Sequence, residues 1–326
     1  MANNENQKLK LLYVRKILME YTDEDHPMSA EGIIDKLDHY DISAERKSIY
    51  ADIECLRNFG DEIEIRKDRD KRGYYIAERE YSLPELKVLI DAVSSSRFIT
   101  ENNSTKLIEK LSDLASKYDA EELKRDIYVY NRVKTKSEYS IAIVDSLHRA
   151  IRAGAMITFQ YMKWNREGTL TVSKTHKVSP RSLAYADENY YLIANDMEKE
   201  GCPLRHYRVD KIRKIIQLEE EIPGEIRREK INLAKYLKPK FGMYSGTLTN
   251  VELKVREDLL GVLFDRFGTD LKPITSGNGF LVNVEAEVSP QFFGFLAGLG
   301  AGASVQGPPS VKKDYQDYLK EILKAN

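Results

Sequence analysis

The sequence predicts a multidomain α+β chain, and three observations carry that reading. At 326 residues the chain exceeds one ordinary domain and fits two or three, at ~100–200 residues each. Apolar residues recur at helical spacing up to residue 59 and again over 81–155, then switch to short alternating runs over 156–218, which is the change from a 3.6-residue to a 2-residue period. Residues 247–326 mix the two patterns.

Residues 1–80 read as helix, helix, helix, hairpin. Leu11, Val14, Leu18 and Tyr21 lie on one helical stripe. Ser29 is a good N-cap before Ile33, Ile34 and Leu37, and Ser43 a second before Ile49, Ile53 and Leu56, because their hydroxyls can accept a first-turn N–H. Gly60 is placed to end the third helix. Residues 62–67 and 73–77 read as strands joined by a charged turn. Three helices and a hairpin form the winged helix-turn-helix pattern, so 1–80 are expected to bind duplex DNA, with the third helix in the major groove. Arg46, Lys47 and Tyr50 lie away from its apolar stripe, with Ser48 beside them. The hairpin adds Arg66, Lys67, Arg69, Lys71 and Arg72, five basic residues against two acids over 66–72, suited to phosphate contact. The same 80 residues hold 14 basic and 19 acidic side chains, so a protein-binding role for this domain stays open. Cys55, beside Ile53 and Leu56, is expected to be a packed thiol.

Residues 81–155 are expected to be a helical linker. Ser82-Leu-Pro-Glu85 is a capping box with proline in the first turn. Asn102-Asn103-Ser104 breaks the pattern, which resumes at Leu107, and a further helix through Ile141, Val144, Leu147 and Ile151 stops at Gly154. Strands are expected at 157–161, 170–178, 190–194 and 212–218, with turns at 165–168 and 187–189, as in a small barrel or sandwich. Trp164 falls at the first turn. Residues 221–246 read as a connector with one helical piece. Strand, helix, strand, helix, helix follow over 247–326.

The composition excludes several classes. Formal net charge is −1, so nucleic-acid binding must rest on local patches. Two distant cysteines, Cys55 and Cys202, form no disulfide framework and suit a reducing cytosol. No apolar run is long enough to span a bilayer, and a cytoplasmic protein is expected. No phosphate-loop, zinc-protease or nucleophile-elbow motif occurs. The five histidines lack metal-ligand spacing. Gly298-Leu-Gly-Ala-Gly302 follows a helix rather than a strand and reads as a helix-ending turn. No enzyme, cofactor or metal is expected.

Four blocks then stand out: Phe159-Gln-Tyr161, His176-Lys-Val-Ser-Pro-Arg181, Tyr190-Tyr-Leu-Ile-Ala194 and His206-Tyr-Arg-Val-Asp-Lys-Ile212. In this order they resemble the WYL-domain transcriptional regulators. The name-giving tripeptide stands here as Tyr190-Tyr191-Leu192, with tyrosine for tryptophan. Residues 207–212 are similar to that family's arginine-aspartate strand, and Ser43 to Gly60 resembles its recognition helix. Asp265-Arg-Phe-Gly268 and Phe292-Phe-Gly-Phe-Leu296 resemble blocks of the C-terminal extension called WCX.

The resemblance implies a winged helix-turn-helix (1–80), a helical linker (81–155), a Sm-like WYL β-barrel (156–220), a connector (221–246) and a WCX α+β module (247–326). It implies a homodimeric, ligand-responsive regulator whose WYL domain senses single-stranded nucleic acid or a nucleotide. Tyr161, His176, Arg181, Tyr191, Arg205 and Arg208 are the matching effector positions. Arg181 departs from the aromatic residue common there. Asp210 is expected to pair with Arg208 or a neighbouring cation, and the alternation along 190–193 turns only one tyrosine of the pair outward. Residues 141–218 hold 13 basic and 8 acidic residues, the charge that phosphate binding needs.

Overall fold

The computed structural model describes residues 4–68, 71–125, 134–220, 222–228 and 231–326. The chain divides into two compact units, Met1–Ala142 and Ile143–Asn326.

In the first unit, helices α1 (Asn4–Tyr21), α2 (Ala30–Asp38) and α3 (Arg46–Phe59) precede the antiparallel pair β1 (Ile63–Lys67) and β2 (Arg72–Ile76). Val14, Ile17 and Leu18 of α1 pack with Ile33, Leu37, Ile49, Ile53 and Leu56. The Ser29 hydroxyl accepts from Gly32 N at the start of α2. Gly60, at φ +115°, donates to the Leu56 and Arg57 carbonyls and closes α3. Two expectations need correction. Helix α3 begins at Arg46, with Glu45 and not Ser43 in the cap position; Ile42 is buried in the same core, so the chain runs extended past it before turning helical. Cys55 is exposed: two residues beyond Ile53 is about 200° around a helix, which puts the thiol opposite the buried stripe.

Helices α4 (Leu83–Ser95), α5 (Glu101–Ser112) and α6 (Lys117–Arg125) complete this unit. The Ser82–Glu85 capping box is formed, with the Glu85 carboxylate accepting from Ser82 N at 2.8 Å. The break expected at 102–104 lies earlier. Thr100 caps α5 by accepting from Asn103 N, so both asparagines sit inside the first turn. Ser116 Oγ accepts from Asp119 N and donates to Asp23 Oδ2 at 2.7 Å, tying α6 to the turn after α1.

The unit boundary falls within α7 (Ser140–Ala153). Strands β3 (Ile157–Trp164), β4 (Leu170–Ala186), β5 (Asn189–Asp196), β6 (Leu204–Arg208) and β7 (Ile212–Gln217) follow in one antiparallel sheet of order β6-β5-β4-β3-β7. The edge strands β6 and β7 are joined only by the 3-10 turn Val209–Lys211. From residue 208 to 212 the chain reaches ~14 Å at most, whereas four flat strand spacings are ~19 Å, so the sheet must curl its two edges together. The 17-residue β4, with a bulge between Pro180 and Ser182, supplies bend. The block 207–212, expected as one strand, is instead the corner between two. Trp164 ends β3 and is exposed.

Helices α8 (Gly224–Arg228) and α9 (Leu233–Leu237) occupy the connector, one more than expected. Then come β8 (Thr247–Val255), α10 (Leu260–Phe267), β9 (Ile274–Ser276), β10 (Gly279–Val288), α11 (Pro290–Gly298), β11 (Ala303–Gly307) and α12 (Pro309–Ala325). The four strands form an antiparallel sheet of order β11-β8-β10-β9. Val251, Leu253, Val282 and Val284 pack beneath Phe292 and Leu296. Strands β9 and β11 were not foreseen: one has three residues, and the other follows the turn Gly300–Gly302. Arg266 donates to the Lys240 carbonyl at 2.6 Å and lies over the Phe241 ring, a structural fate.

Candidate functional site

The curled sheet brings four aromatic side chains together. Phe159 stands opposite His176 across β3 and β4, and strand alternation puts Tyr161 on the same face. Tyr207 of β6 completes the group: its ring lies 5.1 Å from Phe159, 5.7 Å from Tyr161 and 5.0 Å from His176. Tyr207 Oη and His176 Nδ1 are buried with no hydrogen-bond partner among the described residues, although buried polar atoms ordinarily have one. Burial raises the Tyr207 pKa. Burial and Lys174 lower that of His176 against the pull of Glu198, so both stay neutral at pH 7.

Charges border this cluster on two sides. On one, Arg205 Nε meets Asp196 at 3.0 Å, and Lys174 meets Glu198 at 3.0 Å. On the other, Arg208 is fixed at the corner. Its Nε and Nη2 reach Asp210 at 3.1 and 2.9 Å, and Nη2 also reaches Asn189 Oδ1 at 2.8 Å. Its backbone N–H donates to the Tyr161 hydroxyl at 3.3 Å. The hydrogen bond to Asp210 raises the Arg208 pKa. A guanidinium has five donors, and Arg208 keeps Nη1 out of these bonds while its side chain is 37 % exposed. A planar cation held this way is preorganised for a phosphate or carboxylate.

Two of the expected effector residues lie elsewhere. Tyr191 is 8 % exposed and packs with Ile193 and Met243 beneath Leu233, Tyr236 and Leu237. Alternation along β5 sends it to the face that α9 covers, outside the aromatic group, where it stands opposite Arg208 of β6 and feels that guanidinium's charge. Arg181 donates to the Ile226 carbonyl of α8, apart from the aromatic group. Tyr161, His176 and Arg205 gather at the aromatic group, and Arg208, opposite Tyr191, joins it at the Tyr161 hydroxyl. Sequence reading missed Tyr207, Asn189, Asp196, Glu198 and Lys174 as members. The β6 alternation, Arg205 and Tyr207 against His206, was the signal for Tyr207; the acidic partners needed the sheet's curl.

In the first unit, Lys47, Tyr50, Lys67, Lys71 and Arg72 are exposed on α3 and the hairpin. Arg46 is exposed and pairs with Glu31, and Lys71 lies 3.6 Å from Asp25. Two of the expected contact residues are held by bonds within the unit. Ser48 Oγ accepts from Lys10 at 3.0 Å and donates to the Glu45 carbonyl, so it faces α1. Arg66 bonds Asp68 and the Glu24 carbonyl, which anchors the hairpin. Arg69 lies outside the described residues. Among the described residues no helix is long and apolar enough to cross a membrane, and no cluster of three or more metal-ligating side chains occurs.

A curled five-stranded sheet with an aromatic interior and fixed arginines at its corner defines the middle of this chain. Residues 142–216 match the WYL domain, so this stretch of the chain is a WYL domain. The match begins within α7, ahead of the first strand. Among solved structures, proteasome accessory factor B/C of Arthrobacter aurescens is similar at 16 % identity over 95 % of this chain, with a TM-score of 0.29; the chain spans 48 % of that one's length. A CRISPR Cas-related protein is similar at 14 % identity over 98 % of this chain and 84 % of its own, with a TM-score of 0.38. Neither superposition is close enough to carry a functional argument. No curated protein matches the chain.

Proposed function

We propose that the chain is a ligand-responsive transcriptional regulator. Its first 80 residues act as a winged helix-turn-helix on operator DNA, and its WYL domain, a Sm-like barrel, senses single-stranded nucleic acid or a nucleotide. The observation that carries the sensing role is Arg208, oriented by Asp210 and Asn189 beside the Tyr161 hydroxyl with Nη1 open. Arginine beside aromatic rings matches what a nucleotide offers, a phosphate and a flat base. Arg205, exposed at the same cluster, is the second phosphate contact. For duplex DNA, Lys47 and Tyr50 on α3 with Lys67, Lys71 and Arg72 on the hairpin form the contact set. A homodimer would set two such domains on the half-sites of a pseudo-palindrome. Residues 247–326 act as the WCX module.

The second reading gives the first 80 residues a protein partner. It is favoured by their acidic excess and by the pairing of Arg46 with Glu31.

Fluorescence anisotropy with a labelled single-stranded oligonucleotide across a salt series tests the sensing role. Arg208→Ala should weaken binding by about tenfold, the ~1.4 kcal/mol of one charge-assisted contact, and lower the salt slope by ~0.7. Equal binding by wild type and variant would remove Arg208 from the site. For the first unit, Lys47→Ala with Arg72→Ala should weaken duplex binding and leave the single strand unaffected. Unchanged duplex binding would favour the protein-partner reading.

A further inference from the structure

The C-terminal sheet ends in an open edge. Among the described residues, strand β11 has β8 as its single strand neighbour, and a groove of about 410 Å³ runs along its other side. Ala303, Ser304 and Val305 all line this groove. Successive side chains of a strand point to opposite faces, so three consecutive residues line one cavity only through the strand's edge. Arg256 N donates to the Gly302 carbonyl, and Ala303 stands opposite Val255. Antiparallel pairs alternate between bonded and non-bonded. Ala303 and Val305 therefore turn their N–H and C=O groups away from β8; the Ala303 N–H donates back to the Gly300 carbonyl, which leaves the Ala303 carbonyl and both backbone groups of Val305 toward the groove.

The opposite wall is helix α12. Lys312, Tyr315, Gln316 and Leu319 line it, at the i, i+3, i+4, i+7 spacing of one helical stripe. The stripe continues to Ile322 and Leu323, and Leu323 is 78 % exposed. A strand edge facing a helix stripe, with apolar residues toward one end and a cation at the other, is the geometry that accepts an added strand.

We propose that the β11–α12 groove binds an extended acidic peptide segment of a partner protein, which joins the sheet as a fifth strand. The Ala303 carbonyl and the Val305 N–H and carbonyl supply its backbone hydrogen bonds. Leu319 and Leu323 take its apolar side chains, and Lys312, exposed in the first turn of α12, takes its carboxylate. A second copy of this chain complements the groove less well, because it would bring a lysine against a lysine.

The test uses the full chain and a fluorescein-labelled hexapeptide of alternating valine and threonine that ends in glutamates. Anisotropy should report saturable binding. A lysine-ended counterpart should bind about fivefold more weakly, and Lys312→Glu should weaken the acidic peptide and strengthen the lysine one by a similar factor, in the range of an exposed ion pair. N-methylation of alternate backbone nitrogens of the probe should abolish binding without altering the protein. Lys312→Gln, with an intermediate affinity, guards against a folding defect in the reversal variant. Equal binding of the two charged peptides, retained binding of the N-methylated probe, or no effect of Lys312→Glu would each overturn the proposal. So would sedimentation showing that Lys312→Glu dissociates a dimer, which would give the groove to a second copy.

Discussion

At the residue scale, the histidines of the curled sheet carry a pH dependence. His206 places Nδ1 3.0 Å from the Met243 carbonyl and Nε2 2.8 Å from Tyr236 Oη. In the neutral ring Nδ1–H donates to the carbonyl and Nε2 accepts from the tyrosine, whose own pKa burial has pushed up to about 12. Burial lowers the His206 pKa, with the Met243 bond opposing it, and His176 shifts the same way. The unfolded chain, with histidines near 6.5, therefore binds more protons than the folded one as pH drops below that value. Stability is complete above about pH 6.5 and declines with acidification. Urea unfolding should give a lower midpoint at pH 5.5 than at pH 7.5, and His206→Gln should flatten the difference. A midpoint that rises on acidification contradicts this assignment.

At the element scale, the hairpin depends on a close backbone approach. Met28 and Tyr74 exchange hydrogen bonds at 2.9 and 2.8 Å, and a Cβ on neighbouring Gly73 would lie 2.4–2.6 Å from Met28 backbone atoms. Gly73→Ala should destabilise the first unit by about 3 kcal/mol, the upper range for overpacking. Gly261→Ala, on an exposed turn of α10 with open space around its Cβ, should add about 0.5–1 kcal/mol. Chemical denaturation of both variants separates the two effects, and a neutral Gly73→Ala would show that the bridge can slide. Legibility followed the same division. Ser29, Gly60, Ser82 and the Asp187-Glu188 turn act through their own backbone neighbourhood, and the sequence carries that information locally. Ser43 failed as a cap because Ile42 is held by the core. The corner at 209–211 and the strand β11 were missed because both exist through pairing between strands far apart in sequence.

The candidate site shows the same limit. Arg208 and Asp210 were legible as a pair two residues apart. Asn189, Asp196 and Tyr207 join only when β5 and β6 align, Tyr191 opposite Arg208 and Leu192 opposite Tyr207. That register also places Tyr191 under α9, as the alternation along 190–193 allowed for one tyrosine of the pair.

At the scale of the whole molecule, the proposed regulator requires that one chain bind two nucleic acids and that each change the affinity for the other, since coupling between sites is reciprocal. An effector that bound two arrangements equally would regulate nothing. The direct measurement is an anisotropy titration of a duplex, selected by the 326-residue chain from a random pool, with and without a saturating single-stranded oligonucleotide. A shift in duplex affinity of about 5–150-fold, the usual span of allosteric coupling, is predicted for wild type and should disappear in Arg208→Ala. An identical duplex affinity at saturating oligonucleotide, or a random pool in which the protein enriches no duplex, would contradict it.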